Sequence, residues 1–171
     1  YAAGRGDMAS ALQAATRACA TDPSSPEYRL NLGRLLVRDP DPKRRAQGQE
    51  ILTQLATTDT TRTRALSTLR DAARLEGDWR RASSFSLSIL ESPEAEFHDR
   101  LAHLDILTGL DDRETYDLLQ QIRTEALDSP VRLAEFCDWT LARGRASEMF
   151  SWLQSLPTRR RQASHIQLAL A

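Results

Sequence analysis

The sequence contains no apolar run of about 18 residues and no signal-peptide pattern, so nothing in it reads as a membrane-spanning or secretory element. Cysteine is scarce: Cys19 and Cys137 sit far apart in helical patterns and read as buried free thiols, which excludes a disulfide scaffold and suits a reducing compartment such as the cytoplasm. Lysine is almost missing, with Lys43 the one Lys among 23 basic residues. The net charge of -1 provides no field that would draw in nucleic acid or a membrane. Aromatics make up only 6%, leaving Leu and Ala to fill the apolar positions, as helix-on-helix packing prefers. No Gly-rich phosphate loop, Gly-x-Ser-x-Gly elbow or Cys-x-x-Cys occurs. The expectation is therefore a non-enzyme with no cofactor. Strand alternation is also missing.

What is present is a helical period. Between 66 and 93, Leu66, Leu69 and Ala73 recur three and four apart, the pattern breaks at Gly77-Asp78, and it resumes at Ala82, Phe85, Ile89 and Leu90. This predicts two antiparallel helices joined at a residue that tolerates a left-handed backbone. Gly6-Asp7 and Gly144-Arg145 repeat the break, and Ser-Pro recurs at 25, 92 and 129. Those Ser-Pro spacings are 67 and 37, so one missing copy near Thr60-Thr61 gives three intervals of about 34. Such a period means stacked helical hairpins.

The chain resembles the tetratricopeptide repeat family. Leu32-Gly33 with Leu36 sits where the family has Leu-Gly-x-x-Tyr; Leu69 to Ala82 and Ala11 to Pro23 match its 13- and 12-residue gaps. Arg70 and Cys137 depart from the small first-helix Gly, Ser86 departs from the second-helix aromatic, and Leu32 to Ala46 carries one extra residue. The repeats are degenerate. The resemblance implies an all-α, right-handed α-solenoid of about ten helices over 1–171. A truncated repeat contributes a second helix over 6–21, opened by an Asp7 cap. Repeats follow over 25–58, 61–92, 93–128 and 129–157, and a terminal helix covers 158–171. Ser25-Pro26, Pro42, Ser92-Pro93 and Ser129-Pro130 would open helices, Thr57–Thr61 would be a loop, and Gly109–Asp112 a turn. Because the chain opens on a second helix, a preceding portion carrying its partner, with room for a targeting segment, is expected in a longer protein.

The candidate chemistry is thin. His98 and His103 are five apart on a helix and diverge, while Asp99 and His103 face alike and read as a surface ion pair rather than metal ligands. Arg5-Gly6-Asp7 spells an adhesion tripeptide but is already explained as a repeat turn. Arg159, Arg160 and Arg161 form a basic run in a first turn, opposed to the helix dipole. They supply the alternative of a nucleic-acid contact, although no aromatics are interleaved among them for stacking. The resemblance implies a concave face lined by first helices. It would carry Asn31, Arg34 and Arg38, then Ser67, Thr68 and Asp71, then His103 and Ile106, then Glu135 and Asp138. That groove would run from basic to acidic and hold an extended or helical peptide or a partner protein. A spacer role, or self-association through the truncated N-terminal end, is the remaining alternative.

Overall fold

The structure, a computed structural model, describes residues 3–170, with side chains from Met8 to Ala169, and every regular element among them is a helix. There are eleven: α1 (Ala3–Thr21), α2 (Pro26–Leu36), α3 (Pro42–Leu55), α4 (Asp59–Leu75), α5 (Trp79–Leu90), α6 (Phe97–Leu110), α7 (Glu114–Leu127), α8 (Pro130–Leu141), α9 (Ala146–Ser155), α10 (Thr158–Arg161) and α11 (Ser164–Leu170). They divide into two compact units, one up to Ala95 and one from Glu96 onward.

In the first unit, α1 packs on α2, α2 on α3, α3 on α4 and α4 on α5, and α2 also touches α4. Its core is Leu30, Val37, Leu52, Leu55, Ala65 and Leu69. The α2–α3 approach is set by glycine. A Cβ on Gly48 would stand 2.7 Å from both the Leu36 Cβ and the Val37 backbone nitrogen, so the two helices meet at van der Waals distance only because it has none. In the second unit α6 packs on α7 and α8, α7 on α8, α8 on α9, and α11 on both α8 and α9. Its core includes Leu101, Leu104, Ile122, Leu133, Met149, Leu153 and Ile166. Phe136 anchors an aromatic group there, stacked on Trp139 at 5.9 Å and edge-on to Trp152 at 5.5 Å.

Helix starts follow the capping rules at three of the four expected places. The Ser25 hydroxyl accepts from the Tyr28 N–H, the Asp41 carboxylate from the Lys43 N–H, and the Ser129 hydroxyl from the Arg132 N–H, each just ahead of a Pro in the first turn. The fourth is different. Ser92-Pro93 lies in a turn, where the Ser92 hydroxyl accepts from the Glu94 N–H at 3.2 Å, and α6 opens four residues later. A capping box decides it: the buried Asp99 carboxylate accepts from the Glu96 N–H at 3.2 Å, so the helix starts behind Glu96.

Further boundaries also move. α1 starts at Ala3 and runs through Gly6-Asp7 without a break, because an Ala-rich stretch can carry a glycine that costs only about 1 kcal/mol in a helix. The Asp7 side chain lies outside the described ones. Thr60 and Thr61 belong to α4 rather than to a loop: the buried Thr61 hydroxyl donates to the Leu55 carbonyl at 2.9 Å and pulls the α3–α4 corner tight. Gly109 is helical, and the left-handed residue is Asp111, at φ 53°. The terminal helix is split into α10 and α11: its arginine-rich first turn buries no residue, while Ile166 is fully buried one short segment later.

Correcting Gly109 to Asp111 exposes the period. α4, α6 and α8 end alike, with a left-handed residue at Gly77, Asp111 and Gly144. In each case the next N–H reaches back five positions, from Asp78 to Ala73, from Asp112 to Leu107 and from Arg145 to Thr140. The three left-handed residues lie 34 and 33 positions apart.

Candidate functional site

In the first unit, α2 and α4 lie in contact, and one ion pair sets their register. Arg64 on α4 grips the Glu27 carboxylate on α2 with both terminal nitrogens, Nη1 donating at 3.0 Å and Nη2 to the other oxygen, and Nη2 also reaches the Thr60 carbonyl at 3.3 Å. The Arg64 hydrogen bonds hold the Glu27 carboxyl below the usual range and raise the Arg64 guanidinium in turn. Both side chains are about half exposed, so the pair aligns the helices more than it stabilises them.

Short connections make α2 antiparallel to α3 and α3 antiparallel to α4, so α2 and α4 run the same way. The 37-residue offset between Glu27 and Arg64 then carries along both helices. It puts Asn31 at the level of Thr68 and Arg34 at the level of Asp71, one and two turns beyond the ion pair. Asn31 and Arg34 are exposed on α2, and exposed Arg38 follows in the turn beyond its end. Ser67, Thr68 and Asp71 are half-buried on α4; the Thr68 hydroxyl donates to the Arg64 carbonyl at 2.9 Å and Asp71 accepts from Arg70 Nε at 3.1 Å. Five of the ten residues expected on a binding face therefore lie on this helix pair, and Arg38 lies just past the end of α2. Tyr28, 41% exposed and one turn before Asn31, joins them and was missed, as were Glu27 and Arg64. The signal for the last two was available: an acid and an arginine 37 apart, three residues beyond the expected repeat of about 34.

The second unit treats its candidates differently. His103 and Ile106 on α6 are 6% and 0% exposed, so they are interior positions. On α8, Asp138 is exposed and Glu135 is half-buried, its Oε2 shielded and without a hydrogen-bond partner. A second arginine clamp joins the same kind of helix pair here. Arg143 Nε donates to Asp105 at 2.6 Å, Nη2 donates to the other carboxylate oxygen, Nη1 donates to the Trp139 carbonyl at 2.7 Å, and the guanidinium lies 4.2 Å from the Trp139 ring centre. Asp105 precedes Arg143 by 38 residues, close to the 37 of Glu27 and Arg64.

Asp99 and His103 are both buried on α6, so neither is a surface position. Asp99 is occupied by the capping box and stands 3.5 Å from His98. Among the described residues no group of three or more His, Cys, Asp or Glu is placed to hold a metal ion, and no helix is long and apolar enough to cross a membrane. Burial pushes both the Cys19 and Cys137 thiols up, with Asp138 adding to the effect on Cys137, so neither is poised as a thiolate. Of the arginine run, Arg159 and Arg160 are exposed and Arg161 is half-buried.

Compared with protein-family models, with curated proteins and with solved structures, the chain gives no match.

Proposed function

We propose that the chain is a non-catalytic interaction module of the helical-repeat kind, similar to tetratricopeptide repeats, and that it holds a peptide or partner-protein segment along the face of α2 and α4 expected to be concave. The carrying observation is the register set by Glu27 and Arg64, which aligns Asn31 with Thr68 and Arg34 with Asp71 across two parallel helices. A row of paired polar side chains at one-turn intervals suits an extended or helical ligand read at successive positions. At the far end of the row Arg34 stands at the level of Asp71, so the face offers a ligand both charges there. The recurring left-handed corners, 34 and 33 positions apart, support the repeat reading.

The test is a peptide-array screen with the whole chain, followed by the double variant Asn31→Ala, Arg34→Ala. Both residues are exposed, so the variant should keep its melting temperature and lose captured peptides about tenfold in affinity, on the order of 1.4 kcal/mol. Unchanged capture would move the binding surface elsewhere. Binding confined to oligonucleotides and falling steeply with salt would instead give the role to Arg159 and Arg160.

A further inference from the structure

Away from that face, the second unit has a cavity of about 390 Å³ where α9 meets the C-terminal segment, lined by Phe150, Gln154, Thr158, Arg161, Gln162 and Gln167. Its size falls within the roughly 300–1,000 Å³ typical of small-molecule sites. The lining has one cation, three carboxamides, one hydroxyl and one phenyl ring, and no carboxylate. Phe150 and Gln154 stand one turn apart on α9, and Phe150 leaves 46% of its surface open. The opposite wall is held in place by Ile166, which is 1% exposed where α11 docks on α8 and α9. Gln167 fastens the corner by donating its amide to the Arg161 carbonyl.

Arg161 is the unusual member. One terminal nitrogen donates to the Thr158 hydroxyl at 3.3 Å, while Nε is shielded from solvent and donates to nothing. No carboxylate of the described residues pairs with it; its neighbour Arg160 stands 3.9 Å from Asp128. A guanidinium that is partly desolvated and lacks an anion leaves donor capacity unused on its terminal nitrogens, whose outer edge matches the two oxygens of a carboxylate. Neutral amides around a single cation balance one negative charge rather than two. The phenyl wall adds an apolar surface beside the charged end.

We propose that this cavity is a binding site for a small monocarboxylate with an apolar or aromatic body, the carboxylate on Arg161 and the body against Phe150. The site is independent of the α2–α4 face, and either can fail without the other. The probe is benzoate, titrated into the full chain while the side-chain N–H signals of Arg161, Gln154, Gln162 and Gln167 are followed by NMR. Expected are saturable shifts at these groups with a dissociation constant of millimolar order, about −4 kcal/mol. Arg161→Gln should weaken binding by about tenfold or more, through loss of the charge-assisted pair. Phe150→Ala should weaken benzoate and leave acetate unaffected, and it decides the matter if Arg161→Gln disturbs α10. Shifts that never saturate, or benzoate binding that is indifferent to Phe150→Ala, would overturn the proposal. Inorganic phosphate binding as well as benzoate would also overturn it, since the site would then read charge alone.

Discussion

Glu27 shows how a single side chain matters beyond its energy. Its carboxyl is held below the ordinary value by the Arg64 hydrogen bonds, so the folded chain binds that proton more weakly than the unfolded chain. A depressed folded pKa contributes stability at pH values above the ordinary glutamate pKa of about 4.3, and the contribution is lost as pH falls through the folded value. Asp22 and Asp39 shift the same way, Asp22 mainly through the Ser24 hydroxyl and Asp39 mainly through the Asp41 N–H. Melting curves of the wild type and Glu27→Gln should therefore lie apart near neutral pH and draw together in acid, with the wild type the more stable at neutral pH. High salt should narrow the neutral gap, because the pair is half exposed. A gap that widens toward acid would contradict the assignment. None of this was legible from composition. An acid and an arginine 37 apart become partners only when a repeat length is known.

At the scale of the element, the helices were largely legible and their ends less so. Periodic apolar residues identified ten helical stretches because burial on one stripe is a local pattern, and Phe97, Leu101, Leu104 and Leu107 are all buried as the spacing requires. Ser92-Pro93 misled because a cap signal competes with others nearby, and the Glu96–Asp99 box satisfies the first-turn donors of α6. Tyr116, 68% exposed, and Leu141, 58% exposed, show that a residue can keep helical spacing and still face outward. The α2–α3 contact allows a direct test. Ala in place of Gly48 gains about 1 kcal/mol of helix propensity, but its Cβ meets backbone and a Cβ at 2.7 Å, and overpacking typically costs about 1–3 kcal/mol. At Gly33 the nearest atoms are the Leu52 side-chain carbons at 2.9 and 3.0 Å, which can shift more readily. Urea denaturation should show Gly48→Ala destabilised by up to about 2 kcal/mol and Gly33→Ala less affected. The reverse order would mean that α2 and α3 are held apart by something other than this approach.

For the molecule as a whole, the sequence disclosed a period but misplaced part of its evidence. Gly77 and Gly144 were visible because glycine marks a left-handed corner, whereas Asp111 adopts the same conformation without a glycine to announce it. Filling that position closes the interval between the two glycines. What no local pattern could show is that the helices collect around two cores. The second unit has its own aromatic group on Phe136, its own Arg143–Asp105 clamp and a buried Ile166 that ties down its last helix. A unit with a separate core can fold alone, though one of its length buries a smaller share of its surface than a larger domain and is marginal. Expressed by itself, residues 96–171 should be helical by far-UV circular dichroism and show a near-UV signal from Trp139 and Trp152, which lie against Phe136. It should unfold cooperatively with a stability of only a few kcal/mol. Trp139→Phe should diminish the near-UV band while leaving the far-UV spectrum in place. A fragment with helix but no fixed aromatic signal would show that this core requires the rest of the chain to pack, and the two-unit description would have to give way to a single cooperative one.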